Sequence, residues 1–241
     1  MNRKIFACST LLLILLFNTK IMNAQENTSD SFNAQQRSLA SLSALTAVGN
    51  TEKLNPELHN ALDVGLTINE IKEALVQLYA YCGFPRSLNA IAVFREVLET
   101  RKTNGKMDVT GKDDQPLTDT SGRYETGRKV LENLTKMPQA KPAPGFGEFA
   151  PRIDAFLKEH LFADIFASEV LSLQQREMVT IAALAAMTGT SAQLQSHISM
   201  GMNTGISKSQ MEGIFEEIER QISRQQADSA RTVWTKILQN K

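Results

Sequence analysis

The chain has 241 residues, and its 26 Lys and Arg residues are balanced by 26 Asp and Glu residues. A formal net charge of zero argues against a polybasic nucleic-acid binder and against an acidic solvating tail. With 42% hydrophobic and 22% charged residues the composition is that of a folded globular protein, and the low aromatic content of 6% favours helices over a β-sandwich.

The first 24 residues have the order of a secretory signal peptide. Arg3 and Lys4 precede an apolar run over residues 5–17, which is too short to span a bilayer comfortably, and a polar stretch then ends at Ala24. We predict cleavage after Ala24, export to the periplasm or the medium, and no membrane association afterwards. A retained signal anchor is the alternative. Cleavage would leave three more acidic than basic groups.

The remaining chain contains two copies of one helical unit. From Gly49 onward, adding 140 to a position gives its counterpart, and before Gly49 the offset is 139 because Thr188 is a single insertion. The matched pairs are Arg37 and Arg176, Leu54 and Leu194, Gly65 and Gly205, Ala90 and Ala230, Val93 and Val233, and Leu98 and Leu238. We predict a first repeat over 33–100, a linker over 101–151 and a second repeat over 152–240.

Stop and start signals in the first copy delimit its helices. Gly65 ends one helix, and Thr67 with Glu70 forms a capping box that opens the next. Apolar residues then recur at three- and four-residue spacing over 71–81, which predicts an amphipathic helix. A Gly-Phe-Pro break at 83–85 precedes a last helix over 87–100.

The segment between the copies is rich in Gly, Asp, Thr, Lys and Pro. Its Pro-containing stretch over 141–147 predicts extended chain, because each proline restricts the residue before it. We predict one short helix over 123–137 and an amphipathic helix over 152–171 that leads into the second copy.

The second copy repeats the pattern of the first. Residues 178–187 are apolar on every side and predict a buried helix. A turn follows at Gly189, and Ser207 with Gln210 forms a capping box after the stop at Gly205. Residues 216–226 are mostly charged or amide, so their helix keeps only a narrow apolar stripe. Together the two copies predict an all-α fold.

These residues resemble the carboxymuconolactone decarboxylase family, which has the alkyl hydroperoxide reductase D-like (AhpD-like) fold. The resemblance rests on Phe156-Leu-Lys-Glu-His-Leu-Phe, Arg176-Glu177-Met-Val-Thr-Ile-Ala-Ala-Leu, Gln193-Leu-x-x-His197, Asn203-Thr-Gly205 and, in the first copy, Tyr81-Cys-Gly-Phe-Pro85-x-x-x-Asn89-Ala90. It implies a helical repeat that assembles into rings, usually trimers or hexamers. A chain with two copies would then form a homotrimer.

The resemblance implies one of two functions, because the family contains two functional groups. Decarboxylase-like members act on a lactone acid without a cofactor, and AhpD-like members use a Cys-x-x-Cys pair. Residues 187–193, where that pair would lie, contain no cysteine, and Cys82 is the one cysteine after residue 24. Thiol–disulfide chemistry needs two sulfurs, so a peroxidase or antioxidant function is disfavoured. We interpret Cys82 as a buried small side chain, with a reactive thiol as the alternative.

Glu177 and His197 match the acid–base positions of the family and are our candidate catalytic residues. A histidine and a buried carboxylate suit the proton transfers of a decarboxylation or a double-bond shift. Twenty residues separate them, so they can meet only through a helix hairpin that turns at Gly189. In the alternative interpretation, Glu177 pairs with Arg176 or caps its helix, and His197 is a core histidine with satisfied hydrogen bonds.

The first copy has Ser38 and Glu57 at the positions of Glu177 and His197, so it lacks its own acid–base pair. We therefore predict one composite site, in which the second copy supplies the pair and the Tyr81–Asn89 region of the first copy completes the pocket, either within one chain or across a subunit boundary. The candidate substrate-binding residues are Arg176, Tyr81, Asn89 and His160. Family decarboxylases often have an arginine near Ser168, and its absence leaves Arg176 or Arg86 to bind a substrate carboxylate.

Other chemistry has no support in the sequence. The three histidines show no metal-ligand spacing, and there is no phosphate-binding glycine loop or basic–aromatic patch. We predict no metal, no cofactor and no nucleic-acid partner. The leading hypothesis is an exported, cofactor-free lyase or isomerase for a small carboxylated or lactone substrate, and the alternative is a non-catalytic small-molecule binding module.

Overall fold

The computed structural model describes residues 31–114 and 122–239, and within these ranges all regular structure is helical. This confirms the all-α fold. The predicted signal peptide over 1–24 lies outside the described residues. None of the helices in the two ranges is both long enough and apolar enough to cross a membrane.

The first copy consists of four helices: α1 (Ala34–Val48), α2 (Thr51–Asp63), α3 (Ile68–Gln77) and α4 (Phe84–Thr103). A single helical turn, Tyr79–Cys82, connects α3 to α4. The predicted break at 83–85 is real, but α4 already begins at Phe84, since Pro85 fits the first turn of a helix, where no intrahelical N–H is required.

Helix α5 (Arg123–Thr135) follows in the segment between the copies and agrees with the short helix predicted over 123–137. Two single turns, Phe146–Phe149 and Pro151–Ala155, then lead into a π-helix, Phe156–Ile165. The predicted amphipathic helix over 152–171 is wrong in its type and its end. A π-helix is wound through i to i+5 hydrogen bonds, and apolar periodicity in the sequence does not distinguish that winding from an α-helix.

The second copy contains α6 (Leu173–Ala186), α7 (Ser191–Asn203), α8 (Lys208–Gln221) and α9 (Arg224–Gln239). Helices α2 and α7 begin and end 140 residues apart, as the repeat offset requires. Both predicted capping boxes are formed, one from Thr67 to Glu70 and the other from Ser207 to Gln210.

The glycines that end the first two helices of each copy have matching left-handed backbones. Gly49 and Gly189 have φ angles of +74° and +78°, and Gly65 and Gly205 have +95° and +96°. Residues with a Cβ rarely adopt these angles, so glycine is the natural residue at each of the four positions. The two copies therefore share the backbone conformation of these glycines as well as the sequence register.

Two equivalent arginines tie the copies together in a reciprocal way. Arg176 on α6 donates from Nη1 to Oε1 of Gln77 on α3, at 3.0 Å. Arg37 on α1 donates from Nη1 to Oε1 of Glu217 on α8, at 2.8 Å. Gln77 and Glu217 are themselves repeat counterparts. Each copy thus binds the third helix of the other, and one hydrophobic core runs through both.

Helix α5 packs directly on the π-helix. A Cβ placed on Gly127 would lie 1.7 Å from the carbonyl oxygen of Lys158, so the two backbones are in contact at this point. The Lys158 side chain is buried and donates to Asp154 at 2.8 Å, to the Tyr124 hydroxyl at 2.9 Å and to the Ala140 carbonyl at 2.7 Å. Part of the segment between the repeats is therefore packed structure.

A second, smaller core lies where α5, the π-helix and α7 meet. It contains Leu134, Leu161, Phe162, Ile165, Phe166 and Met200. Tyr79 and Tyr81, from the single turn of the first copy, pack against this cluster. The inter-repeat segment thus joins the first copy to the second on the side of α7, the helix that carries His197.

Candidate functional site

The hairpin of α6 and α7 brings Glu177 and His197 together. His197 Nδ1 lies 2.8 Å from Glu177 Oε2, and the two residues are 7% and 0% exposed. The turn between the two helices passes through Gly189, as predicted. The sequence prediction that these two residues meet is therefore matched by the geometry.

Gly201, one turn after His197 on α7, permits this close approach. A Cβ at Gly201 would lie 2.8 Å from Cδ1 of Ile181 and 3.7 Å from Cβ of Glu177. The distance to Glu177 is an ordinary contact, whereas a methyl group at this position would have to displace the flexible ends of the Ile181 and Ile206 side chains. The glycine thus keeps the space beside Glu177 free of a side chain from α7.

The pair has the arrangement of a carboxylate that orients a general base. In the tautomer with its proton on Nδ1, His197 donates to Glu177 and presents Nε2 as a proton acceptor. Within the described ranges, the buried Oε1 of Glu177 has no hydrogen-bond partner. The site therefore combines an oriented imidazole with an unused carboxylate oxygen.

Tyr81 of the first copy contacts this pair of the second copy. Its ring meets the His197 ring edge-on, with centroids 5.4 Å apart and an angle of 81° between the planes. The Tyr81 hydroxyl is buried without a hydrogen-bond partner in the described chain. Burial first, and then the charge of Glu177, raise the pKa of Tyr81, while the nearby Thr180 side chain and the charge of Arg176 oppose the shift, and the phenol stays protonated at neutral pH. Tyr81 is thus a residue of the first copy that contacts the pair in the second copy.

The other predicted first-copy member, Asn89, lies elsewhere. It is exposed on α4 and makes no hydrogen bond to Glu177 or His197. A break at Gly83 separates the turn that carries Tyr81 from α4, which carries Asn89.

Arg176 is surrounded by other residues of the protein, to which it is hydrogen-bonded. It is completely buried, and besides Gln77 it binds Glu73 Oε1 at 2.7 Å and the Ser168 carbonyl at 2.9 Å, both through Nη2. Burial lowers the pKa of Arg176, and the Glu73 carboxylate opposes that shift. The guanidinium also faces the Phe166 ring at 5.8 Å. Both terminal nitrogens are occupied by the protein itself.

The sequence of the chain matches one known protein family. A sequence model described as Carboxymuconolactone decarboxylase family matches residues 17–96 and 151–219, which together are more than half of the chain. The chain belongs to the carboxymuconolactone decarboxylase family. The two matched regions agree with two tandem family repeats, and the protein is thereby a carboxymuconolactone decarboxylase or AhpD-like protein. No curated protein matches the chain.

In the first family repeat, the counterparts of the pair also meet, but with different chemistry. Ser38 Oγ donates to Glu57 Oε1 at 2.5 Å, and Asn60 Nδ2 donates to the same oxygen at 3.1 Å. Both Ser38 and Glu57 are buried. Sequence analysis identified these residues as counterparts and missed their contact, which the repeat offset itself could have indicated.

Cys82 shows no sign of an activated thiol. It is the only free cysteine of the described residues, and its Sγ lies 3.1 Å from the carbonyl oxygen of Leu78. Burial raises the pKa of the thiol, although Arg86 opposes the shift. Over residues 31–114 and 122–239, no group of three His, Cys, Asp or Glu side chains is placed to hold a metal ion.

His160 lies in a cavity that neither Glu177 nor His197 lines. That cavity has a volume of about 520 Å³ and is lined also by Tyr79, Arg123 and Asp164. His160 Nδ1 is 2.9 Å from Asp164 Oδ2, and its ring is tilted against Tyr79 with centroids 5.6 Å apart. The described contacts do not connect His160 with Glu177 or His197.

Proposed function

We propose that this family member is an exported, cofactor-free lyase or isomerase that acts on a small lactone or carboxylated carbonyl compound. The observation that carries the proposal is the buried contact of 2.8 Å between His197 Nδ1 and Glu177 Oε2. A carboxylate that fixes the tautomer and orientation of an imidazole leaves the other ring nitrogen free to move protons.

The proposed chemistry is a proton transfer next to a carbonyl group. His197 Nε2 removes a proton from the carbon beside the carbonyl, and the electron pair of that C–H bond moves into an enolate. Glu177 stabilises the imidazolium that forms. The imidazolium then returns its proton to another carbon, which shifts a double bond. In a carboxylated substrate the C–C bond to the carboxylate breaks in place of the C–H bond: carbon dioxide leaves, the electron pair of that bond forms the enolate, and protonated His197, which is later reprotonated from water, donates the proton that replaces the carbon dioxide. Every proton is carried by a residue of the chain, so the cycle needs no cofactor.

We further propose that the protein works as a homotrimer of two-repeat chains. Several large apolar side chains are exposed, among them Phe84 at 61%, Phe149 at 93% and Phe156 at 55%. Exposed apolar groups of this size favour burial between subunits. Light scattering coupled to size-exclusion chromatography tests the trimer, and fractionation of the natural host tests the exported location.

The experiment on activity uses proton exchange. A panel of unsaturated lactones and their carboxylated derivatives is incubated with the protein in D₂O, and the loss of the signal from the proton beside the carbonyl is followed by NMR. We expect Glu177→Gln and His197→Gln to lower the exchange rate at least a hundredfold, the usual range for a general base. The control is His59→Gln, since His59 lies on α2, away from the pair. Unchanged exchange in both site variants would refute the proposal.

A non-catalytic binding module is the second candidate. The observation in its favour is the first repeat, where Ser38 and Asn60 both donate to Glu57 Oε1 and no histidine takes part. A binding module predicts that the same compounds bind and shift the His197 resonances. Proton exchange in D₂O would then be no faster than without the protein.

A further inference from the structure

A cavity of about 520 Å³ lies where the inter-repeat segment meets the first copy, and neither member of the acid–base pair lines it. Three segments form its lining: the single turn that carries Tyr79, the start of α5 at Arg123, and the π-helix with His160 and Asp164. Cavities of this volume commonly hold small molecules. What this cavity could bind follows from its polar groups and its walls.

The polar groups form a cluster of Arg123, Asp164 and His160. Asp164 Oδ2 lies 2.9 Å from His160 Nδ1, and Asp164 Oδ1 lies 3.2 Å from Arg123 Nε. Because an ionised carboxylate only accepts hydrogen bonds, the neutral imidazole carries its proton on Nδ1 and has Nε2 as an acceptor. Arg123 matches the charge of Asp164, and Glu159, the other acidic residue of the lining, is exposed to water. The cluster thus has no charge that a ligand must balance.

The guanidinium of Arg123 has donors to spare. Its Nε is buried and has no hydrogen-bond partner among the described residues, so the contact with Asp164 is an ion pair alone. Buried donors in native proteins are nearly always hydrogen-bonded, so an unsatisfied one needs an explanation. A ligand oxygen that accepts from the guanidinium would provide one.

The walls of the cavity are mainly apolar and aromatic. Phe156, His160 and Asp164 follow one another at four-residue spacing along the π-helix, and all three line the cavity. Across from them the Tyr79 ring is tilted against the His160 ring, with centroids 5.6 Å apart. Leu161 also belongs to the lining. Such walls favour a ligand that contains a ring.

The environment of Tyr79 indicates how a hydroxyl on such a ring would behave. Burial first, and then the charge of Asp164, raise the pKa of Tyr79, so its hydroxyl stays protonated at neutral pH. A phenol bound beside Tyr79 would experience the same two effects and would also stay uncharged.

We propose that this cavity is a second ligand site and that it binds a small, uncharged ring compound with a hydroxyl group, such as a phenol. The hydroxyl donates to His160 Nε2 and accepts from Arg123, while the ring packs against the aromatic wall. An ether has no proton to donate, and a carboxylate would place a second negative charge beside Asp164. The proposal does not depend on the function proposed for Glu177 and His197.

The test compares phenol, anisole and benzoate at pH 7 with the full chain. The three probes share one ring and differ in the group attached to it. Dissociation constants come from the broadening of the ligand ¹H signals, and the location of binding comes from the ring ¹⁵N signals of His160, which are assigned by their loss in His160→Phe. For ligands this small we expect a dissociation constant on the order of 1 mM for phenol.

The hydroxyl sets the order of the three affinities. We expect anisole to bind about three- to tenfold more weakly than phenol, the usual contribution of one hydrogen bond, and benzoate to bind at least tenfold more weakly. Equal binding of anisole would show that the hydroxyl is not recognised. Equal or tighter binding of benzoate would assign the cavity to anions. Either result overturns the proposal.

His160→Phe keeps a ring at the wall and removes the acceptor. The side chain is 51% exposed, so we expect the variant to fold, and circular dichroism checks this. Phenol and anisole should then bind equally. The matched control is His59→Phe on α2, in which the preference for phenol should be that of the wild type. A preference that persists in His160→Phe overturns the role of His160.

Asp164→Asn removes the charge that Arg123 matches and keeps the shape of the side chain. Because the guanidinium is then without its counter-ion, benzoate should bind at least as tightly as phenol. If phenol keeps its tenfold preference in this variant, the carboxylate does not set the selection and the argument from charge is wrong.

Two outcomes separate this proposal from the others. Phe156 is 55% exposed and is one of the side chains that the proposed trimer would bury. If a second subunit closes the cavity, none of the probes binds, and the second site is wrong while the acid–base function stands. If phenol shifts the signals of His197 and leaves those of His160 in place, phenol occupies the acid–base site, and the second site is again wrong.

Discussion

Replacing Arg176 with methionine is expected to destabilise the protein strongly, although the sequence marks this arginine as a substrate-binding residue. The side chain is completely buried and binds Gln77, Glu73 and the Ser168 carbonyl. Methionine would fill most of the volume but leave three acceptors without their donor, one of them a carboxylate that is 12% exposed. Breaking a buried ion pair in this way costs about 3–5 kcal/mol of unfolding free energy.

The repeat supplies the control, Arg37→Met. Arg37 is the counterpart of Arg176, but its side chain is 45% exposed, and its partner Glu217 keeps hydrogen bonds from Ser41 and Arg220. An ion pair at this degree of exposure contributes about 1 kcal/mol or less. Urea unfolding followed by circular dichroism at pH 7 measures both variants. Equal losses in the two variants would refute the assignment of Arg176 as a structural tie.

Three further predictions concern packing, pH and the thiol. Gly127→Ala should lower the unfolding free energy by about 2–3 kcal/mol, because the new methyl group would lie 1.7 Å from the backbone oxygen of Lys158. The hydrogen bond from Arg101 lowers the pKa of Asp63 from 3.8 to about 2, so its stabilisation is present above pH 4 and is lost as the pH falls towards 2. Asp63→Asn should flatten that decline in urea unfolding. Since burial raises the pKa of Cys82, we expect iodoacetamide to modify it slowly at pH 7.5 and rapidly in guanidinium.

Each of these predictions has a result that contradicts it. Gly201→Ala is the packing control, since its new methyl group would press on the flexible Cδ1 of Ile181 and should cost about 1 kcal/mol or less. Equal costs at Gly127 and Gly201 would contradict the backbone contact. If the unfolding free energy of Asp63→Asn falls at acid pH as steeply as that of the wild type, the Asp63 carboxylate is not the cause of the decline. Modification of native Cys82 at the rate seen in guanidinium would show an accessible thiol.

The sequence predicted those features that a repeat and local spacing encode. Capping boxes lie within four residues, and the left-handed glycines recur at a fixed offset, so Gly65 and Gly205 could be identified without coordinates. The meeting of Glu177 and His197 also follows from local information, because a hairpin of two helices that turns at Gly189 leaves their side chains facing each other.

The sequence could not predict contacts that depend on how the two copies pack. Arg176 and Gln77 are 99 positions apart, and no periodicity of three or four residues reports on such a pair. The same holds for Asn89, which a turn at Gly83 carries away from Tyr81, and for the π-helix, whose winding leaves no distinct apolar pattern.

The divergence of the two copies explains why one site can suffice. At the position where the second copy has Glu217, the first copy has the neutral Gln77, so the two equivalent arginines have partners of different charge. The Glu217 carboxylate binds Arg37 and so holds α8 against α1. Gln77 carries no charge, so the charge of Arg176 is balanced by Glu73, which lies nearer the surface. In the first copy a hydrogen bond between Ser38 and Glu57 stands where the second copy has its acid–base pair. In the proposed function, the first copy therefore contributes Tyr81, whose ring contacts the pair, and the second copy contributes the base. A chain in which both copies carried the pair would bury a second ionisable pair in the shared core, where each unmatched charge is costly.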